Sequence, residues 1–209
     1  KNQDFIDLVD TIGKAVLSAD IIESVDDVLA LEVEGQTINE IITAKTATIG
    51  EKLSLRRAEL VIKTDSQNFG PYLHMGGKIA SLVVTEGGNE EVAKDCAMQA
   101  AAMRPEYLNK DEVPAEVLEK EKEVLKQQAI EEGKPADIAE KMVEGRIKKY
   151  YKENCLIHQA FVKDGDIDVE TYVKNNGGSV KSMIRYEVGE GMEKRSENFA
   201  EEVAKQING

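Results

Sequence analysis

Cysteine, tryptophan and aromatic residues are scarce in this sequence, and their scarcity argues against several classes of protein. Of the 209 residues, two are cysteine, none is tryptophan and 5% are aromatic. Two cysteines are too few for a disulfide scaffold or for a cysteine-rich zinc site. Few aromatic rings are available to stack on nucleic-acid bases. We therefore expect Cys96 and Cys155 to be reduced, buried thiols of a cytosolic protein.

The chain also lacks an excess of positive charge and long apolar runs. Its 27 Lys and Arg residues against 40 Asp and Glu residues give a net charge of −13. Because nucleic acid carries the same sign of charge, this acidity argues against a general nucleic-acid binder. Apolar runs such as residues 79–84 are too short to span a bilayer. No basic leader followed by an apolar stretch opens the chain, so we expect a cytoplasmic protein with no membrane partner.

The spacing of apolar residues predicts both helices and strands. Steps of three and four predict helices over residues 2–17 and 38–49. A period of two predicts strands over residues 53–62, 78–85 and 180–188, and the apolar character of both faces makes the second of these a central strand. Since the strands are arranged as hairpins rather than βαβ units, we predict an α+β fold with small antiparallel sheets packed by helices.

Residues 111–152 differ in composition from the sequence on either side. They are rich in charge and carry two helical apolar stripes, separated by Gly133 and Pro135, which favour the end of one helix and the start of the next. This pattern predicts an inserted antiparallel helical hairpin, similar to a short coiled coil, that protrudes because its apolar seam is narrow. The predicted domains are an N-terminal core subdomain (1–65), a C-terminal core subdomain (66–110 and 153–190), the hairpin (111–152) and a C-terminal helical module (191–209).

Motifs for catalysis or metal binding are missing from the sequence. His74 and His158 have no cysteine or carboxylate at ligand spacing, and no P-loop, HExxH or GxSxG motif occurs. We therefore predict no catalytic residue, no metal and no cofactor. From the residues alone, two classes remain open beside an interaction protein. One is a small acidic α+β enzyme of unknown substrate, and the other is a helical-hairpin adaptor or oligomerisation module.

Four stretches, in order along the chain, resemble one protein family. Residues 48–57 resemble the IGENxxxRR segment of bacterial elongation factor Ts, EF-Ts, and residues 72–79 resemble its YxHxGGKI loop. Residues 138–146 match its IAEKMVEGR hairpin motif, and residues 184–191 match its RFEVGEG motif. Each motif alone is a weak signal, whereas four ordered matches along nearly the whole chain are specific.

This resemblance implies a translation elongation factor that binds the GTPase EF-Tu in its GDP form and promotes GDP release. Such a guanine-nucleotide exchange factor is not itself an enzyme. Ile49 and His74 match residues that the family presents to the GTPase domain. Phe161 and Val162 match an apolar pair that touches the third domain of EF-Tu, and Phe199 lies in the module that packs on the GTPase domain. The hairpin is a candidate site for a homodimer or a 2:2 assembly.

The resemblance also implies a difference from the family at the start of the chain. Family members carry a three-helix module and a Thr-Asp-Phe-Val segment before the position of Lys1. The Asp and Phe of that segment form a wedge that displaces a helix of EF-Tu and disturbs the binding of magnesium and phosphate. Because the present sequence begins after the wedge, we expect it to bind EF-Tu and to promote exchange only weakly.

Overall fold

The computed structural model describes residues 2–191, in which helices and short strands are mixed. The helices are α1 (Gln3–Leu17), α2 (Val25–Ala30), α3 (Ile38–Ile49), α4 (Glu90–Met103), α5 (Ala115–Glu131), α6 (Ala136–Asn154) and α7 (Val169–Asn175). The strands are β1 (Glu32–Val33), β2 (Gln36–Thr37), β3 (Gln67–His74), β4 (Ile79–Gly87), β5 (Ala160–Phe161), β6 (Asp164–Asp168) and β7 (Gly178–Glu187). These strands pair in antiparallel fashion, which confirms the predicted α+β class. Phe199 and the terminal helix predicted around it lie outside the described residues.

The chain divides into two compact units, with the boundary between Ile62 and Lys63. In the first unit, α1 and α3 bury Leu8, Ile38 and Ile42 in a small core. The start of α3 is set by a capping box, because Thr37 accepts from the backbone N–H of Glu40 and the Glu40 carboxylate accepts from that of Thr37. The bounds predicted for this helix from apolar spacing are confirmed.

The strand predicted over residues 53–62 is wrong, because these described residues form no strand. Leu53 and Leu55 instead pack against the helical core of the first unit. The N–H of Leu53 donates to Oγ1 of Thr46 at 3.3 Å rather than to a neighbouring strand. A period of two therefore reports which side of this segment is buried, whereas a strand also needs a partner for its backbone hydrogen bonds.

The second unit contains a three-stranded sheet in the order β3-β4-β7, so the prediction that residues 78–85 form a central strand is confirmed. Helix α4 packs on this sheet, and the hydroxyl of Ser81 on β4 donates to the carbonyl of Ala97 at 2.7 Å. The helix approaches β3 so closely that a Cβ atom added to Gly70 would lie 2.0 Å from the carbonyl carbon of Ala93.

The core of the second unit joins α4 to the sheet, to α7 and to the segment after α6. Its buried members are Val83, Val92, Cys96, Ala97, Ala100, Leu108, Leu156, Phe161, Val169 and Val173. Cys96 and Cys155 are both free and completely buried, as the sequence predicts. Burial raises the pKa of the Cys96 thiol to about 12 and that of the Cys155 thiol to about 11, so both stay protonated at neutral pH.

Helices α5 and α6 occupy the segment in which a helical hairpin was predicted. The reversal between them uses Gly133 at a φ of 71°, a left-handed conformation that glycine adopts without strain. Across the pair, the guanidinium of Arg146 donates to Oε1 of Gln128 at 2.9 Å, and Ala129 and Ala139 are buried. The two helices and their reversal match the prediction, while a coiled-coil geometry and protrusion remain predictions.

We expect the core to fold without the outer part of the hairpin. The base is held separately, since the N–H groups of Glu106 and Tyr107 donate to the carbonyl of Asn154 at 2.9 and 3.0 Å. Replacing residues 124–148 by a short Gly/Ser linker should leave a single cooperative transition in thermal unfolding followed by far-UV circular dichroism. As a matched core control, Leu156→Ala should cost about 2–5 kcal/mol. A linker variant without a cooperative transition would contradict this expectation.

Candidate functional site

Ile49, the first of the predicted contact residues, is the last residue of α3 and is half-buried. Gly50 ends the helix at a φ of 79°, and its N–H donates to the carbonyl of Thr46 at 2.9 Å. The hydroxyl of the same Thr46 accepts from the N–H of Leu53. Thr46 therefore binds the backbone N–H groups of both Gly50 and Leu53. These two hydrogen bonds fix the position of the Ile49 backbone. Ile49 belongs to the first unit, whereas the other described contact residues belong to the second.

His74 is the last residue of β3 and leads into the tight β3–β4 turn, which we call the His74 loop (residues 72–78). Met75, Gly76 and Gly77 follow one another at positive φ values of 51°, 67° and 87°. The two glycines adopt this left-handed conformation without strain, because glycine has no Cβ atom to clash. The N–H of Gly77 donates back to the carbonyl of His74 at 3.1 Å, which closes the turn.

The side chains of the His74 loop form a mixed aromatic and apolar surface. The imidazole of His74 stacks on the ring of Tyr72 with the ring centroids 6.0 Å apart. Leu73 is 71% exposed and Met75 is 63% exposed. Of Leu73, His74 and Met75, the sequence predicts only His74 as a contact, and the other two are not among the predicted residues. The sequence does contain a signal for the exposure of Leu73 and Met75. Apolar residues beside a glycine turn at the end of a strand have little hydrophobic core within reach.

Phe161 and Val162 are neighbours in the chain, but the structure places them in different environments. Phe161 on β5 is 3% exposed and stacks on Tyr172 of α7 with the ring centroids 4.0 Å apart. Val162 is 48% exposed in the β5–β6 turn. In this structure Phe161 therefore offers almost no surface to a partner, and Val162 is the accessible member of the pair.

A cleft of about 500 Å³ lies beside both the His74 loop and the β5–β6 turn. Tyr72, on which His74 stacks, lines it from β3, and Lys163, which follows Val162, lines it from the turn. Asp95 of α4 also lines this cleft. The cleft therefore adjoins both the loop that carries His74 and the turn that carries Val162.

Asp95 holds two of the groups around this cleft. Its carboxylate accepts from the ammonium of Lys163 at 2.6 Å and from the hydroxyl of Tyr172 at 2.8 Å. The hydrogen bond to Asp95 raises the pKa of Lys163 above its usual value. Burial, and then the Asp95 carboxylate, raises the pKa of the Tyr172 hydroxyl. Both partners of Asp95 therefore keep their protons at neutral pH, and the turn that carries Val162 is tied to α4.

The exposed apolar side chains of the second unit favour a contact surface. Among residues 2–191, no group of three or more His, Cys, Asp or Glu side chains is arranged to hold a metal ion. The same stretch contains no helix with the length and apolarity needed to traverse a bilayer. Exposed apolar side chains on the His74 loop, together with an exposed valine in the β5–β6 turn, are typical of a partner-binding α+β protein.

Comparison with known proteins identifies the family to which this chain belongs. The family model described as elongation factor TS matches residues 1–190. The elongation factor Ts of Pediococcus pentosaceus is 52% identical over 206 residues, which cover 99% of this chain and 70% of that protein. The chain therefore belongs to the elongation factor Ts family, the guanine-nucleotide exchange factors of translation elongation. This match does not favour the enzyme or the adaptor alternative.

Proposed function

We propose that this chain binds EF-Tu·GDP through the His74 loop and Val162 and thereby promotes release of GDP. The observation that carries the proposal is the presentation of Leu73, His74 and Met75 at one short turn closed by a backbone hydrogen bond. A preformed loop of this kind loses little conformational entropy on binding. The chain acts on the nucleotide site of a partner and has no substrate of its own to transform.

The thermodynamic basis of exchange is reciprocal linkage between two ligands of EF-Tu. If the factor binds nucleotide-free EF-Tu more tightly than EF-Tu·GDP, it must weaken GDP binding by the same ratio. Contacts of equal strength to both forms shift nothing. The exposed side chains of the His74 loop promote exchange only to the extent that their contacts improve when the nucleotide leaves.

The predicted contact residues have different roles in this proposal. His74 and Ile49 face the GTPase domain, and Val162 touches the third domain. Phe161 supports the turn from within the core instead of contacting EF-Tu, because it is 3% exposed. The contact through Phe199 is proposed from the family resemblance alone. Assembly into a homodimer or a 2:2 complex through the hairpin is proposed from the exposure of Val124, Ile130 and Ile138.

The proposal is tested by the release of a fluorescent GDP analogue from EF-Tu at increasing concentrations of this chain. Release should accelerate and then saturate. Because exchange is expected to be weak, GDP affinity should fall by a factor near the lower end of the roughly 5–150-fold range that is typical of coupled sites. EF-Tu with excess unlabelled GDP and no added chain gives the baseline rate. Binding to EF-Tu without any acceleration of release would contradict exchange activity in this chain.

His74→Ala should weaken the complex with EF-Tu and leave the fold intact. The ring lies at the end of β3 beside an exposed turn, so the free energy of unfolding should change by no more than about 0.5 kcal/mol. We expect the concentration of chain needed for half-maximal GDP release to rise about tenfold, as for a central contact. The same-type control His158→Ala should leave that concentration unchanged. A large loss of stability with unchanged exchange would show that His74 is a core residue.

A further inference from the structure

Two buried glutamines lie behind the turn that carries Val162. Gln99 on α4 is 0% exposed and Gln159, just before β5, is 1% exposed. The amide nitrogen of Gln99 donates to Oε1 of Gln159 at 3.1 Å. A buried amide is costly unless its donors and acceptors are used. The partners of this pair therefore show what it holds in place.

Gln99 binds the backbone on both sides of Phe161. Its amide nitrogen donates to the carbonyl of Ala160 at 3.1 Å, and its Oε1 accepts from the N–H of Val162 at 2.8 Å. Asp95 lies one helical turn away on α4 and holds the side chain of Lys163. The helix thus holds the turn twice, by the backbone of Val162 and by the side chain of the next residue.

Gln159 extends the same network to the base of the hairpin. Its amide nitrogen donates to the carbonyl of Glu153 in the last turn of α6 at 2.8 Å, and to the carbonyl of Met103 at the end of α4 at 3.4 Å. Both N–H donors of each glutamine are therefore used. The pair links the ends of α4 and α6 to the backbone of Val162 through fixed hydrogen bonds.

We infer that Gln99, supported by Gln159, is a positioning residue that presets the Val162 turn for contact with EF-Tu. This inference rests on the proposed contact at Val162. A turn held in its binding geometry before the encounter need not be ordered during it. Gln99 touches no partner itself, since it is completely buried, and acts only through the backbone of the turn.

Hydrogen exchange of the Val162 amide tests the positioning without any partner. In the unaltered chain this amide should be protected, although its side chain is 48% exposed, because its N–H is bound by Gln99. Gln99→Met keeps an unbranched side chain of similar length and removes the acceptor. It should raise the exchange rate of the Val162 amide about tenfold or more. A fast-exchanging Val162 amide in the unaltered chain would overturn the inference, whether or not the variant folds.

A double-mutant cycle tests the connection with function. Val162→Ala and Gln99→Met should each raise KM for EF-Tu·GDP about fivefold, or about 1 kcal/mol, with kcat little changed. The double variant should also raise KM about fivefold, because Gln99 acts only through Val162. Two independent sites would instead raise KM roughly twenty-five-fold. The matched control is Ser81→Ala, which removes another buried hydrogen bond to α4 and should leave KM and the Val162 amide unchanged.

The other outcomes separate this inference from the proposed function. An additive double variant, or an unchanged KM in Gln99→Met, would overturn the positioning role and leave the Val162 contact in place. An unchanged KM in Val162→Ala, with normal exchange by the parent chain, would overturn both the contact and this inference and leave the exchange function standing. If Gln99→Met does not fold, Gln159→Met replaces it in the cycle, with the same expectation of non-additive effects.

Discussion

Gly70→Ala should be among the most damaging single substitutions in this protein and should lower the free energy of unfolding by at least about 3 kcal/mol. The added Cβ atom would lie 2.0 Å from the carbonyl carbon, 2.1 Å from the carbonyl oxygen of Ala93 and 2.3 Å from the nitrogen of Lys94. All three are backbone atoms of α4, so no side-chain rotation relieves the clash. Strand β3 and helix α4 must separate, which opens the core of the second unit.

Urea unfolding followed by far-UV circular dichroism measures this loss, since the chain has no tryptophan to report by fluorescence. The matched control is Gly145→Ala, at an exposed position of α6 where an added Cβ atom would meet nothing within 4 Å. That variant should gain stability, by up to about 1 kcal/mol, because alanine favours a helix more than glycine does. Equal stability of the Gly70→Ala and parent proteins would show that α4 does not approach β3 as described.

Phe161→Ala should lower the free energy of unfolding by about 3–5 kcal/mol, the usual cost of removing a buried aromatic ring. Phe161 is 3% exposed, belongs to the core of the second unit and stacks on Tyr172. Its removal leaves a cavity beside that ring, and the hydrogen bonds from Gln99 to the backbone on both sides of Phe161 limit how far the site can close. Thermal unfolding and urea unfolding should report the same loss.

Val162→Ala is the natural control, because the two positions are adjacent and only one is buried. With 48% of its surface exposed, Val162 should contribute about 0.5 kcal/mol or less to stability. Its loss should appear instead in the binding of EF-Tu. If Phe161→Ala were nearly neutral for stability and strongly impaired binding, both residues would be contacts, as the family resemblance alone implies.

The candidate site shows where reasoning from residues stops. The resemblance pointed to Phe161 and Val162 together, and no feature of two consecutive apolar residues says which one turns inward. That choice depends on Tyr172 and on the pairing of β5 with β6. The roles of Gln99 and Gln159 were equally hidden, because they are 60 residues apart and meet only in the folded chain.

Helix ends, turns and the fold class were determined by the sequence itself. The capping residues Thr37 and Asn89, and Gly50 at the end of α3, act on neighbours within about four residues, so their signals survive without tertiary context. Tertiary structure alone decided that residues 53–62 pair with no strand and that Gly70 must lack a side chain. Strand pairing and close packing depend on segments distant in the chain, and local patterns carry no information about which of them will meet.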